Sequence, residues 1–186
     1  KNSLYMLSKE FGVFGFKPFA LDSKQINLDI KRHYNNDFTD VHTRITSCIK
    51  NNKNGLVLLH GKPGTGKTSY LKDLVKNSDR DFIYIPAEMV KSIGSPGLIE
   101  CLLSKKGSVL FVEDAEEALL ERNTGGSDSA AVSTLLNITD VFLADVLQLT
   151  VFCTFNSRYD QIDHALTRKG RILVKYEFKE LCASKV

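Results

Sequence analysis

Cysteine is scarce and scattered in this 186-residue chain: Cys48, Cys101, Cys153 and Cys182 lie far apart, and no C-x-x-C pair occurs. That pattern argues against a zinc knuckle, a dithiol redox motif or a disulfide framework, and it fits a reducing, intracellular setting. Neither sign of charge dominates. The net charge is +3 and the basic residues are dispersed, so the stripe that would hold nucleic acid or anionic lipid is missing. No apolar stretch approaches the roughly 18 residues of a membrane span, and no signal peptide is visible. The first residue is Lys1 rather than Met, which leads us to expect a trimmed chain from which an N-terminal anchor could have been removed. What remains is ordinary: 42% hydrophobic and 25% charged residues. A chain of this length fits one domain that buries about 70% of its unfolded surface.

Apolar runs and helical periodicities alternate along most of the chain. Residues 1–36 mix Tyr5, Phe11, Phe14, Phe16 and Phe19 with partial alternation, and read as a strand or a hairpin packed on the following core. Asp37 is the expected N-cap of a helix reaching about Asn51, with Val41, Ile45 and Ile49 on one face. Strands are expected at 56–60, 82–86, 108–113, 149–154 and 172–177, with helices at 66–76, 96–105, 129–138 and 140–147 between them. Strands apolar on both faces and linked by helices imply a parallel sheet covered on either side, an α/β three-layer sandwich.

The segment Gly61-Lys62-Pro63-Gly64-Thr65-Gly66-Lys67-Thr68 is a complete G-x-x-x-x-G-K-[ST] loop. It lies between an apolar run and a helical stretch that opens at Ser69. Glycines let successive backbone N–H groups ring a phosphate, and the helix N-terminus adds partial positive charge. Lys67 would reach the β- and γ-phosphates, and the Thr68 hydroxyl would ligate Mg²⁺. The four fixed positions recur by chance in roughly one window in 10⁴–10⁵.

A second apolar strand, Val109-Leu-Phe-Val112, ends in Glu113-Asp114. Carboxylates there would place one group on the metal and another on the attacking water. An acidic pair that caps the next helix is the plainer alternative. The strand at 149–154 ends in Thr154-Phe155-Asn156, where Asn156 would bond the water or the γ-phosphate, or would merely end the strand. Arg168 and Arg171 follow, either as surface charge or as groups that reach a phosphate in a neighbouring subunit.

In this order, G-K-P-G-T-G-K-T, V-L-F-V-E-D, T-F-N and I-D-H-A-L-T-R-K-G-R resemble the AAA+ ATPases, in particular the AAA branch. The likeness is to stand-alone AAA proteins of bacteria and their phages, and more loosely to a mitochondrial inner-membrane AAA translocase. It covers about residues 35–180. The resemblance implies a core over residues 37–180 with a five-stranded parallel sheet in the order 5-1-4-3-2, and a helical lid barely begun at 181–186. It further implies ATP and Mg²⁺ as ligands, Thr68 and Glu113 at the metal, and Asn156 as the sensor-1 residue. Arg168 and Arg171 would be arginine fingers acting in trans within a hexameric homo-oligomer, and the setting would be the bacterial cytoplasm. Three features depart from the family pattern. The usual Asp-Glu is reversed as Glu113-Asp114, which draws the second carboxylate back by about 1.5 Å if the backbone stays put. The pore-loop stretch Lys91-Ser92-Ile93-Gly94 has Ser92 where an aromatic is usual, and the chain ends at Val186 just after the last core strand. The activity expected is ATP hydrolysis that remodels a protein partner. The alternative is a nucleotide-operated switch or scaffold with weak hydrolysis.

Overall fold

The computed structural model describes residues 3–21, 28–115, 139, 141–156, 170 and 172–185. The expected helix at 129–138, Arg168 and Arg171 lie outside the described residues. Seven strands form one sheet: β1 (Leu4–Glu10), β2 (Val13–Phe19), β3 (Gly55–Gly61), β4 (Phe82–Tyr84), β5 (Val109–Val112), β6 (Thr150–Phe155) and β7 (Ile172–Phe178). Among the described residues the helices are α1 (Ile30–His33), α2 (Phe38–Lys50), α3 (Lys67–Lys76), α4 (Pro96–Leu103) and α5 (Val141–Leu147).

Side-chain alternation divides the central strands between two cores. Leu56 and Leu58 of β3, Leu110 and Val112 of β5, and Val151 and Cys153 of β6 enter one core with Leu98, Leu102 and Leu147 from α4 and α5. Val57, Leu59, Val109, Phe111 and Phe152 enter the other, against Ile45 and Ile49 of α2 and Leu71 and Leu74 of α3. Both faces are therefore apolar, which is why β3 and β6 are buried at every residue. Full burial of each large apolar side chain contributes about 1.5–3 kcal/mol.

The sheet runs β2-β1-β4-β5-β6-β3-β7, seven strands where five were expected; β7-β3-β6-β5-β4 within it follows the expected 5-1-4-3-2, and β1 and β2 extend that order beyond β4. The N-terminal segment is not laid over the edge of the sheet. It extends it. β1 pairs in parallel with β4 from Leu4↔Phe82 to Met6↔Tyr84, and β2 returns antiparallel to β1. The Asp81 carboxylate accepts from the Ser3 amide at 3.0 Å and from the Lys105 ammonium at 3.1 Å. Lys105 also sits 3.8 Å from the centre of the Tyr5 ring. The hairpin thereby covers the edge of β4 that would otherwise present unpaired backbone groups.

The N-terminus of α2 also differs from expectation. Asp37 has helical backbone angles and makes no side-chain cap bond. Its carboxylate accepts instead from the Tyr176 hydroxyl at 3.1 Å, a tertiary partner that outcompetes the local one. Asp29 caps α1, accepting from the Lys31 and Arg32 amides. Strand β4 stops at Tyr84 rather than 86, because Pro86 has no N–H to continue the ladder.

Candidate nucleotide-binding site

The loop between β3 and α3 is shaped by three left-handed glycines, at φ values of 141° for Gly61, 80° for Gly64 and 92° for Gly66. At Gly61 glycine is also required by space, because a Cβ there would overlap the Phe178 carbonyl oxygen on β7. The loop closes around its own lysine. Lys67 is 7% exposed, and its ammonium donates to the Gly61 carbonyl at 2.6 Å and to the Lys62 carbonyl at 2.9 Å. The Thr65 hydroxyl donates to the Lys62 carbonyl at 2.8 Å. Lys62, Pro63, Gly64, Thr65, Gly66, Thr68 and Ser69 all face one cleft of about 1190 Å³. The first amides of α3 lack intrahelical acceptors, so this end of the cleft is built to receive an anion.

Opposite the loop, the two carboxylates that end β5 point to different partners. Glu113 lines the cleft and accepts from the Thr68 hydroxyl at 2.7 Å. Asp114 adopts a left-handed φ of 50°, a conformation that asparagine and aspartate tolerate best among non-glycine residues. That turn sends its carboxylate toward the end of β6, where Asn156 Nδ2 donates to it at 3.2 Å. The Asp114 amide donates to the Thr154 hydroxyl at 3.4 Å, and the Ala115 amide to the Thr154 carbonyl at 3.0 Å. The acidic end of the cleft is felt nearby. Burial first, then the charges of Glu113, Glu88 and Asp114, raise the Tyr84 hydroxyl above its ordinary value.

The structure thus brings Thr68, Glu113, Asp114 and Asn156 together at the carboxyl ends of adjacent strands, the crevice where open α/β sheets bind ligands. Two participants were not legible as such. Thr154 fixes the Asp114 turn, with only its place in T-F-N as a signal. Tyr34 donates to the Gly66 carbonyl at 2.9 Å and lines the cleft. Phe38, whose ring packs on Tyr34, is fully buried. The stretch 91–94 begins in the last two residues of a 3₁₀ turn at Ala87–Ser92, and its Ile93 is fully buried in the core.

A glycine-turned phosphate loop between a central parallel strand and a helix, faced by carboxylates at the end of β5 in the same sheet, defines the class: a P-loop nucleotide-binding domain. Residues 57–180 match the family described as "ATPase family associated with various cellular activities (AAA)", and the chain belongs to that family. Over 135 residues it is 33% identical to 26S proteasome regulatory subunit 8 of Dictyostelium discoideum, covering 66% of this chain and 33% of that protein. The identity is also 33%, over 134 residues, with the 26S proteasome regulatory subunit 8 homolog of Saccharomyces cerevisiae. Over 90 residues it is 33% with the ATPase family AAA domain-containing protein 3A homolog of Drosophila melanogaster, covering 45% of this chain and 14% of that protein. The chain spans about one third of the length of the proteasomal relatives it matches. These relatives are eukaryotic and lend no support to the expected bacterial setting or phage likeness. Among the described residues, no helix is long and apolar enough to cross a membrane.

Proposed function

We propose that the chain binds Mg²⁺–ATP in this cleft and hydrolyses it to ADP and phosphate. The observation that carries the reading is the pairing of Thr68 with Glu113 at 2.7 Å beside the phosphate loop, with Asp114 held separately by Asn156 at 3.2 Å. The donors nearest the loop are a hydroxyl and a carboxylate, hard oxygen ligands that suit Mg²⁺ alongside substrate phosphates. Thr68 and Glu113 would hold the ion, which supplies charge neutralisation on the phosphates when bound. Lys67 and the α3 amides bind and orient the triphosphate. Asp114 accepts the proton of the attacking water, and Asn156 keeps that carboxylate aimed.

The same reading places the core in a homo-oligomeric ring, a hexamer in which Arg168 and Arg171 of one copy act on ATP held by the next, driving remodelling of a protein partner. Its support is the sequence resemblance and the kinship with proteasome regulatory subunits. A nucleotide-operated switch with weak hydrolysis is the second reading, favoured by the shorter aspartate at the position that takes the proton.

Phosphate release by the full-length protein, with and without chelation of Mg²⁺, tests this. Asp114→Asn is expected to lower turnover by about 10²–10⁴ with ATP still bound. Glu113→Gln is expected to raise the Mg²⁺ concentration needed for turnover. Equal trace rates for the wild type and Asp114→Asn, with tight ATP binding in both, would select the switch.

A further inference from the structure

We infer that Tyr34 is a positioning residue for the phosphate loop, acting through the Gly66 carbonyl from outside the loop; this rests on the nucleotide-binding reading above. The Tyr34 hydroxyl donates to the Gly66 carbonyl at 2.9 Å, and the Tyr70 amide donates to the same oxygen at 2.9 Å. A peptide group is planar and trans, so the Gly66 carbonyl and the Lys67 N–H are fixed in opposite directions in one plane. Two donors on the oxygen therefore set the direction of the Lys67 N–H, one of the amides that must face a phosphate. Tyr70 belongs to α3 itself and moves with the helix. Tyr34 does not, so it references the loop to a separate part of the fold.

That reference is stiff. Tyr34 is 5% exposed, and its ring lies 4.8 Å from Phe38, 5.6 Å from Phe178 and 6.0 Å from Tyr70, centre to centre. Its amide closes α1 by donating to the Ile30 carbonyl at 3.2 Å. The next residue is clasped by the segment that follows β7: Asn35 Nδ2 donates to the Glu180 carbonyl at 3.0 Å, and Asn35 Oδ1 accepts from the Cys182 amide at 3.0 Å. The ring also comes very near the loop. A Cβ on Gly66 would lie 3.1 Å from Tyr34 Cε1 and 3.2 Å from its hydroxyl oxygen, so glycine at 66 serves this approach as well as the turn.

The test is equilibrium binding of ATP and of inorganic tripolyphosphate to the full chain, comparing the wild type, Tyr34→Phe and Tyr5→Phe. Tyr34→Phe keeps the ring in its cluster and removes only the hydroxyl. It is expected to weaken ATP and tripolyphosphate by the same factor, about three- to tenfold, the loss of one hydrogen bond. Tyr5→Phe removes a hydroxyl in the N-terminal hairpin, where the Tyr5 ring lies 6.3 Å from the Phe16 ring and 3.8 Å from the Lys105 ammonium, and is expected to leave both affinities unchanged. Unchanged tripolyphosphate affinity in Tyr34→Phe overturns the inference, even if the variant melts at a lower temperature, because the hydroxyl would then serve stability alone. Loss of ATP affinity without loss of tripolyphosphate affinity also overturns it, and assigns Tyr34 to the base. A wild-type protein that binds neither probe removes the nucleotide-binding reading itself.

Discussion

Gly61 is where strand geometry hands over to phosphate chemistry, and a side chain at this position would have nowhere to go. The φ of 141° lies outside the reach of ordinary residues, and a Cβ would strike the Phe178 carbonyl. Gly64 has a comparable left-handed φ of 80° but open space around it. Gly61→Ala is therefore expected to destabilise the fold by about 1–3 kcal/mol from backbone strain alone, with steric overlap added. Gly64→Ala is expected to cost about 1 kcal/mol, the left-handed penalty without a clash. Urea unfolding monitored by circular dichroism would rank them, and equal midpoints would mean that β7 yields freely at Phe178. The loop motif was legible from residue types, but the reason for its first glycine lies on a strand more than a hundred residues away. Asp114 follows the same logic. Its identity was readable, whereas the turn that parts it from Glu113 depends on Thr154 and Asn156 at the end of β6.

At the scale of elements, the N-terminal hairpin is attached to the core by a small set of contacts. The β1–β4 ladder is three residue pairs long, and its far end is pinned by Asp81 through the Ser3 amide and Lys105. These groups are partly exposed, so screening keeps the whole pin to about 1 kcal/mol. Asp81→Ala is expected to accelerate amide exchange in β1 roughly fivefold, the local opening that such a loss permits. Amides shared by β3 and β6 should keep their protection. Equal acceleration in both places would show that the hairpin opens only with the whole sheet. The strands of the hairpin were visible as alternation, yet alternation reports which face is buried and not which strand lies alongside. That is why a seven-stranded sheet was read as five strands with a segment packed on them.

For the whole molecule, the decisive prediction concerns completeness of the site. Thr68, Glu113, Asp114 and Asn156 converge within one copy, whereas the proposed arginine fingers come from a neighbour. The specific rate of ATP turnover by the full-length protein is expected to rise steeply with its own concentration, as rings assemble and Arg168 and Arg171 reach the next site. A measurable rate that stays flat over the same range would remove the trans assignment and leave a self-sufficient site.

The order of chemical groups along the chain was determined by the sequence alone. Loop, acidic strand end and polar strand end each depend on local spacing and on strands whose apolar faces are readable at close range. Tertiary structure decided everything that required a distant partner. The hairpin joins the sheet beside β4, Asp37 turns from its helix to Tyr176, and Tyr34 reaches across to Gly66. Those choices are made by hydrogen-bond and packing partners remote in the chain, and a local pattern of residue types does not record remote partners.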